Sequence, residues 1–235
     1  FLFSPGFQLS YLAVIGIVFF QPIIYKSWYV KNKLGNYIWT LISVSLAAQI
    51  ATVPISLYYF HQFPTYFLLS GLVVIPAASI IMAVGLGTLV LSAIPYTSYI
   101  TSFLGDILYW VIWFVNSIIF FIGKMPLNII GNISISFVEM ILGYIIVGLL
   151  MIWLSKDNKR YLFYALWALA LIGLIHSTKN IINKHKEEIV FYDTNGTIID
   201  YINKGKRITY KSEKVTERNE SYATDGYRVD AGFYE

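Results

Sequence analysis

The chain has 235 residues, of which 57% are hydrophobic, 17% aromatic and only 13% charged, against roughly 45–50% apolar and about 25% charged in an ordinary soluble domain. Residues 1–176 hold seven basic and three acidic side chains and residues 177–235 hold ten of each, so the net charge of +4 belongs to the apolar part. These figures argue against a soluble globule and against a polyanion-binding tail, and the absence of cysteine excludes a disulfide framework, a Cys-based zinc site, an Fe–S cluster and thiol catalysis in this chain.

About 20 apolar helical residues cross the roughly 30 Å hydrocarbon core of a bilayer. Charge-poor stretches of about that length occur six times, near residues 7–25, 37–60, 66–94, 103–122, 137–154 and 161–176. The chain opens on Phe1 with no basic region ahead of the first stretch, so that stretch is expected to be a span rather than a secretory signal, and the chain part of a longer one. Tyr25, Trp28, Tyr37, Trp39, Tyr58, Tyr96, Trp153 and Tyr161 lie near span ends, where their rings favour the headgroup region. The third stretch carries Pro76 near its middle, which predicts a kinked or broken helix. If six simple crossings hold, the loops after spans one, three and five contain Lys26, Lys31, Lys33, Lys156, Lys159 and Arg160, and those after spans two and four only Lys124. The positive-inside rule then puts the first set in the cytoplasm and both chain ends outside, whereas Lys179, Lys184 and Lys186 behind span six argue the opposite.

After His176 the pattern changes to short alternating runs near 188–192, 197–202 and 207–210, which predict three small strands. Asn195-Gly196 suits a type I′ hairpin turn, and Asn203-Lys204-Gly205 offers a second turn. From Lys211 the chain is polar and of mixed charge, so a flexible end is expected. The expected fold class is an α-helical polytopic membrane protein: about six transmembrane helices with Pro-broken segments over 1–176, a small β-hairpin or meander over 177–210, and a flexible polar end over 211–235.

Polar side chains inside spans cost free energy unless they face protein or water. The second span has most of them. Ser43, Ala47 and Ala51 form a small-residue stripe suited to close helix packing, and Gln49, Thr52 and Pro54 follow, fit for interhelical hydrogen bonding or for lining a pore. Gln8 and Ser10 at the start of the first span suit an interface or a polar helix start. Asp106 and Glu139 are the acids within the later spans; they suit proton or cation coupling, or a helix N-terminus, where a carboxylate gains roughly 0.3–1 kcal/mol. His61 and Gln62 share a short loop. His61, His176 and His185 are far apart in sequence, and neither a metalloprotease nor a P-loop pattern is present, so no enzyme, metal or cofactor is expected.

Two blocks, Gly6-Phe7-Gln8-Leu9-Ser10-Tyr11-Leu12-Ala13-Val14-Ile15-Gly16-Ile17 and Ala48-Gln49-Ile50-Ala51-Thr52-Val53-Pro54 leading to Tyr58-Tyr59-Phe60-His61-Gln62-Phe63, resemble the ComEC competence family. Leu68-Leu69-Ser70-Gly71-Leu72-Val73-Val74-Ile75-Pro76 fits a third block, with Gly71 where that family usually has Asn. The resemblance implies a multi-pass protein of the bacterial inner membrane that forms a channel for single-stranded DNA, with a DNA receptor outside and motor proteins in the cytoplasm as partners and homo-oligomerisation open. Many members end in a metallo-β-lactamase-like domain, whose H-x-H-x-D-H signature is absent from these residues. A polyanion must cross in water enclosed by protein. Gln8, Ser10, Gln49 and Thr52, with backbone exposed beside Pro54 and Pro76, are the residues suited to line such a path, alongside the motif residues His61 and Gln62. The other readings are a small-solute transporter coupled through Asp106 or Glu139, and a membrane scaffold whose tail recruits a partner.

Overall fold

A computed structural model describes residues 4–94, 96–156, 158–193, 196–203, 206–212 and 215–232. Six long helices come first: α1 Pro5–Lys26, α2 Lys33–Phe60, α3 Phe67–Ser92, α4 Ser98–Gly123, α5 Phe137–Lys156 and α6 Lys159–Lys184. Two-residue strands β1 Phe63–Pro64 and β2 Ile129–Ile130 pair in the loops. The tail contains β3 Glu187–Asp193, β4 Thr197–Asn203, β5 Lys206–Lys211 and a helix α7 Glu217–Asp230.

All six long helices are long and apolar enough to cross a membrane. Even the 20-residue α5 reaches about 30 Å at 1.5 Å per residue. Large apolar side chains stand exposed along them, among them Val18, Leu89, Phe120 and Trp167. So much exposed hydrocarbon would be unfavourable in water and matches lipid. Of the kinked or broken helix expected at Pro76, the break does not occur: Pro76 lies inside a single continuous helix, as do Pro54 and Pro22. A proline removes one backbone bond and strains one turn, but breaking a helix in hydrocarbon would strand several backbone groups at several kcal/mol each. Continuity is the cheaper solution.

The chain divides into two compact units. One comprises residues 14–49 and 64–129. In it α3 packs on α4, Trp39 Nε1 donates to the Tyr25 carbonyl at 3.0 Å, and Tyr25 Oη donates to Asn36 Oδ1 at 2.7 Å. Gln21 Nε2 donates to the fully buried Ser43 hydroxyl at 3.4 Å. Of the small-residue stripe, Ser43 and Ala47 are buried in this unit, and Ala51, also buried, falls in the other one. Gly71 lies so near Ser45 that a Cβ there would overlap the Ser45 hydroxyl oxygen.

The other unit comprises residues 1–13, 50–63 and 130–235, with α5 packed on α6. Helix α6 continues past His176 to Lys184, so the β region starts at Glu187 rather than at 177; a helix need not stop where its apolar face does. Strands β3, β4 and β5 form an antiparallel meander in sequence order, each overlapping its expected run. Of the expected turns, Asn195, Lys204 and Gly205 lie outside the described residues. The end expected to be flexible instead contains α7, which packs against the sheet. Its anchor is Arg228, whose partner Asp200 is remote in sequence and inconspicuous as a β4 residue.

Candidate functional site

Unit 1–13, 50–63, 130–235 gathers polar groups from α1, α2, α5, α6 and the loop before α5. On α1, the half-buried Gln8 accepts a hydrogen bond through Oε1 from Tyr59 Oη of α2 at 3.2 Å. Ser10 is exposed and donates to the Gly6 carbonyl at 2.8 Å, one turn back in its own helix. Thr52 lies on α2 in this unit, whereas Gln49, three residues earlier on the same helix, belongs to the unit 14–49, 64–129. Both are half-buried and both have interaction partners. Pro54 is buried and faces Gly143 of α5, where a Cβ would sit 3.3 Å from Pro54 Cβ. A glycine there lets α5 approach the proline ring closely.

His61 ends α2 in the left-handed region, with φ 53°. Its amide donates to the Leu57 carbonyl at 3.0 Å, its carbonyl accepts from Ile133 N at 3.0 Å, and its Nδ1 lies 3.3 Å from the Ile133 carbonyl. That acceptor requires the proton on Nδ1. The histidine therefore fastens the loop that leads into α5. Gln62 beside it is exposed.

Glu139 sits in the first turn of α5 and is 3% exposed. Its Oε2 accepts from Ser136 N at 2.6 Å and from Ser136 Oγ at 2.7 Å, and Ser136 Oγ lies 3.4 Å from Glu139 N. This is the reciprocal capping box. The other carboxylate oxygen lies 3.3 Å from His176 Nδ1 on α6, and one turn further along α6 Lys179 Nζ donates to Ser134 Oγ at 2.7 Å. Ser136, Thr178, Lys179 and Asn183 line a cavity of about 290 Å³ beside these groups. Sequence reasoning placed Glu139 at a helix start but missed Ser136, although the S-x-x-E spacing is readable. It also missed His176, Lys179 and Tyr59, whose partners are distant in sequence.

Asp106 and Pro76 belong to the unit 14–49, 64–129. The helix carrying Asp106 starts at Ser98 rather than near 103, so Asp106 lies in the third turn and not in the first; its side chain is exposed. Pro76 lines an apolar cleft of about 500 Å³ with Leu72, Ile80, Trp110 and Phe114. Among the described residues no group of three His, Asp or Glu side chains is placed to hold a metal ion.

In the tail, Asp200 is fully buried. Arg228 Nε donates to its Oδ2 at 2.8 Å and Nη2 to its Oδ1 at 3.0 Å. Thr209 Oγ1 donates to Oδ1 at 2.6 Å and Tyr192 Oη to Oδ2 at 3.0 Å. Arg228 Nη1 also donates to Glu220 Oε1 at 3.1 Å, and Lys211 Nζ to Glu220 Oε2 at 3.0 Å. Burial alone would raise the Asp200 pKa, but the bonds from Arg228 and Thr209 outweigh it and hold the carboxyl below its ordinary value. Lys211 and then Arg228 hold Glu220 low in the same way, against some desolvation. Burial and the Asp200 charge push the Tyr192 phenol up. Every carboxylate oxygen here has a donor, so the network locks α7 to the sheet.

Helices of this length and surface, with their polar groups drawn to α1, α2, α5 and α6, define a multi-pass α-helical membrane protein with a small β-rich C-terminal region. The model of one family, described as Competence protein, matches residues 1–157. The chain belongs to that Competence protein family. A stretch of 62 residues is 42% identical to ComE operon protein 3 of Bacillus subtilis (strain 168). That stretch covers 26% of this chain and 7% of the relative, so the match spans a small part of that protein's length. No solved structure matches the chain.

Proposed function

We propose that this chain is part of a channel that carries single-stranded DNA across the bacterial inner membrane during transformation, without catalysis of its own. The observation that carries the reading is the Competence family match over residues 1–157. It is supported by the side chains that the family-like blocks place on α1 and α2: Gln8, Gln49 and Thr52 are neutral, half-buried and polar. Such groups solvate a passing strand without the tight phosphate binding that a basic lining would produce. The DNA receptor and the cytoplasmic motors are partners in the same proposal. The coupled-transporter reading is less well supported, because Glu139 is already engaged by Ser136 and His176. The test is Gln49→Leu with Thr52→Leu in the full-length protein of a transforming host, scored by nuclease-resistant internalised DNA. Internalisation should fall more than about tenfold, equivalent to about 1.4 kcal/mol or more in an equilibrium, at normal protein level. Unchanged internalisation would remove both residues from the path.

A further inference from the structure

The three-stranded sheet has two unlike faces. Alternation along β4 buries Ile198, Asp200 and Ile202 on the α7 side. The opposite face carries Ile189 and Phe191 of β3, Tyr201 of β4, and Ile208 and Tyr210 of β5. The register makes this one continuous surface, because Ile189 pairs with Tyr201 and Tyr201 with Ile208, while Ile199 pairs with both Phe191 and Tyr210. These five side chains are exposed, Phe191 to 71% and Tyr210 to 62%. A contiguous patch of this kind on an otherwise polar tail marks a contact surface.

We infer that this face lies on the bilayer surface, with its aromatic and branched side chains in the headgroup layer. The connection to α6 is the first reason. That helix has 26 residues, about 39 Å at 1.5 Å per residue, against a hydrocarbon core of roughly 30 Å. Its last turns therefore emerge by about 9 Å, and only His185 and Lys186 separate its end from β3. The sheet begins within about 15 Å of the hydrocarbon edge, less than the roughly 23 Å length of a seven-residue strand. Composition is the second reason. Tyr and Phe beside aliphatic side chains suit the interface, where one end of a ring is wet and the other apolar. Charge is the third: Glu187 and Lys206 oppose the same residue, Asn203, in the register, and residues 177–235 carry ten acids and ten bases. That balance does not attract a polyanion, so the lipid interface is favoured over a nucleic acid.

The absence of cysteine from these residues permits spin labels at single introduced cysteines. Phe191→Cys and Tyr210→Cys probe the face, and Asn219→Cys on the exposed side of α7 serves as control, each in the full protein reconstituted in lipid nanodiscs. Labels at 191 and 210 should collide more with oxygen than with a water-soluble nickel chelate, and the label at 219 should show the reverse. Hydrogen exchange of β4 at wild-type level confirms that each variant keeps the sheet. Nickel-dominated collisions at both 191 and 210 would overturn the inference. So would spin–spin broadening relieved by unlabelled protein, which would assign the face to a second copy. Immobilisation of these labels by added oligothymidylate, after nickel-accessible spectra without it, would overturn it in favour of single-stranded DNA.

Discussion

Replacing Arg228 with Met removes the cation from a carboxylate that has no access to water. Asp200 loses both guanidinium bonds, at 2.8 and 3.0 Å, and among the described residues keeps Thr209 and Tyr192 as donors. Leaving one member of a buried ion pair without its partner costs about 3–5 kcal/mol. A unit of the tail's size holds about 2–7 kcal/mol in total, at 0.05–0.15 kcal/mol per residue. The substitution therefore consumes most or all of the tail's stability, while the spans have no part in this network. Hydrogen exchange of the full protein in nanodiscs, followed by mass spectrometry, reads the effect directly. Peptides containing Ile198 and Ile202 should lose protection by on the order of 10²–10³-fold, at 1.4 kcal/mol per factor of ten, and peptides from α3 and α5 should not change. Asp200→Leu combined with Arg228→Met replaces the pair by apolar volume and should recover most of the protection. If β4 in Arg228→Met stays within about threefold of wild type, the network does not hold the tail together.

The same network sets a pH window. Asp200 and Glu220 are held below their ordinary values, so their contribution is complete above the unfolded carboxyl range and is lost as pH falls through it toward the folded values. Tyr192 is raised, so its contribution is complete below the ordinary phenol value and lost on further alkalinisation. Exchange protection of β4 should accordingly be flat between about pH 5 and 9 and should decline below about pH 4; a decline centred on pH 6–7 would contradict the assignment. In α5, Ser136→Ala removes the cap and should cost about 1 kcal/mol in detergent-titration unfolding, with Glu139→Ala costing more because His176 also loses its partner. Equal stability of both variants to wild type would dismiss the cap. Gly143→Leu forces a side chain into the Pro54 contact and should destabilise by about 1–3 kcal/mol. Ser45, whose buried hydroxyl has no hydrogen-bond partner among the described residues, should gain stability as Ser45→Ala and should then tolerate Gly71→Ala better than the wild-type background does; additive effects of the two substitutions would refute that coupling.

The spans and strands were legible because each rests on a local pattern: an apolar run of about 20 residues, or alternation over five or six. Arg228 shows where that ends. Its neighbours from Glu217 to Asp230 have the mixed charge of a solvated segment, and only the three-dimensional position of Asp200, 28 residues upstream, turns a polar stretch into an anchored helix. Pro76 shows a different limit, since the sequence displays the local penalty of a proline but not the larger penalty of breaking a helix in lipid. At the candidate site, Gln8, Gln49 and Thr52 were identifiable as polar residues in apolar runs. Tyr59 bonding Gln8, and Gly143 beneath Pro54, depend on how helices distant in sequence pack. The Ser136 cap was readable from spacing alone.

The proposed part of this chain in moving DNA through the inner membrane is open to a direct experiment, in which labelled duplex DNA is followed in cells from which its gene has been deleted. Label should still bind the cell but remain nuclease-sensitive, nuclease-resistant single-stranded label in the cytoplasm should disappear, and returning the gene should restore it. Cytoplasmic single-stranded label at the parental level in the deletion strain would contradict that proposal.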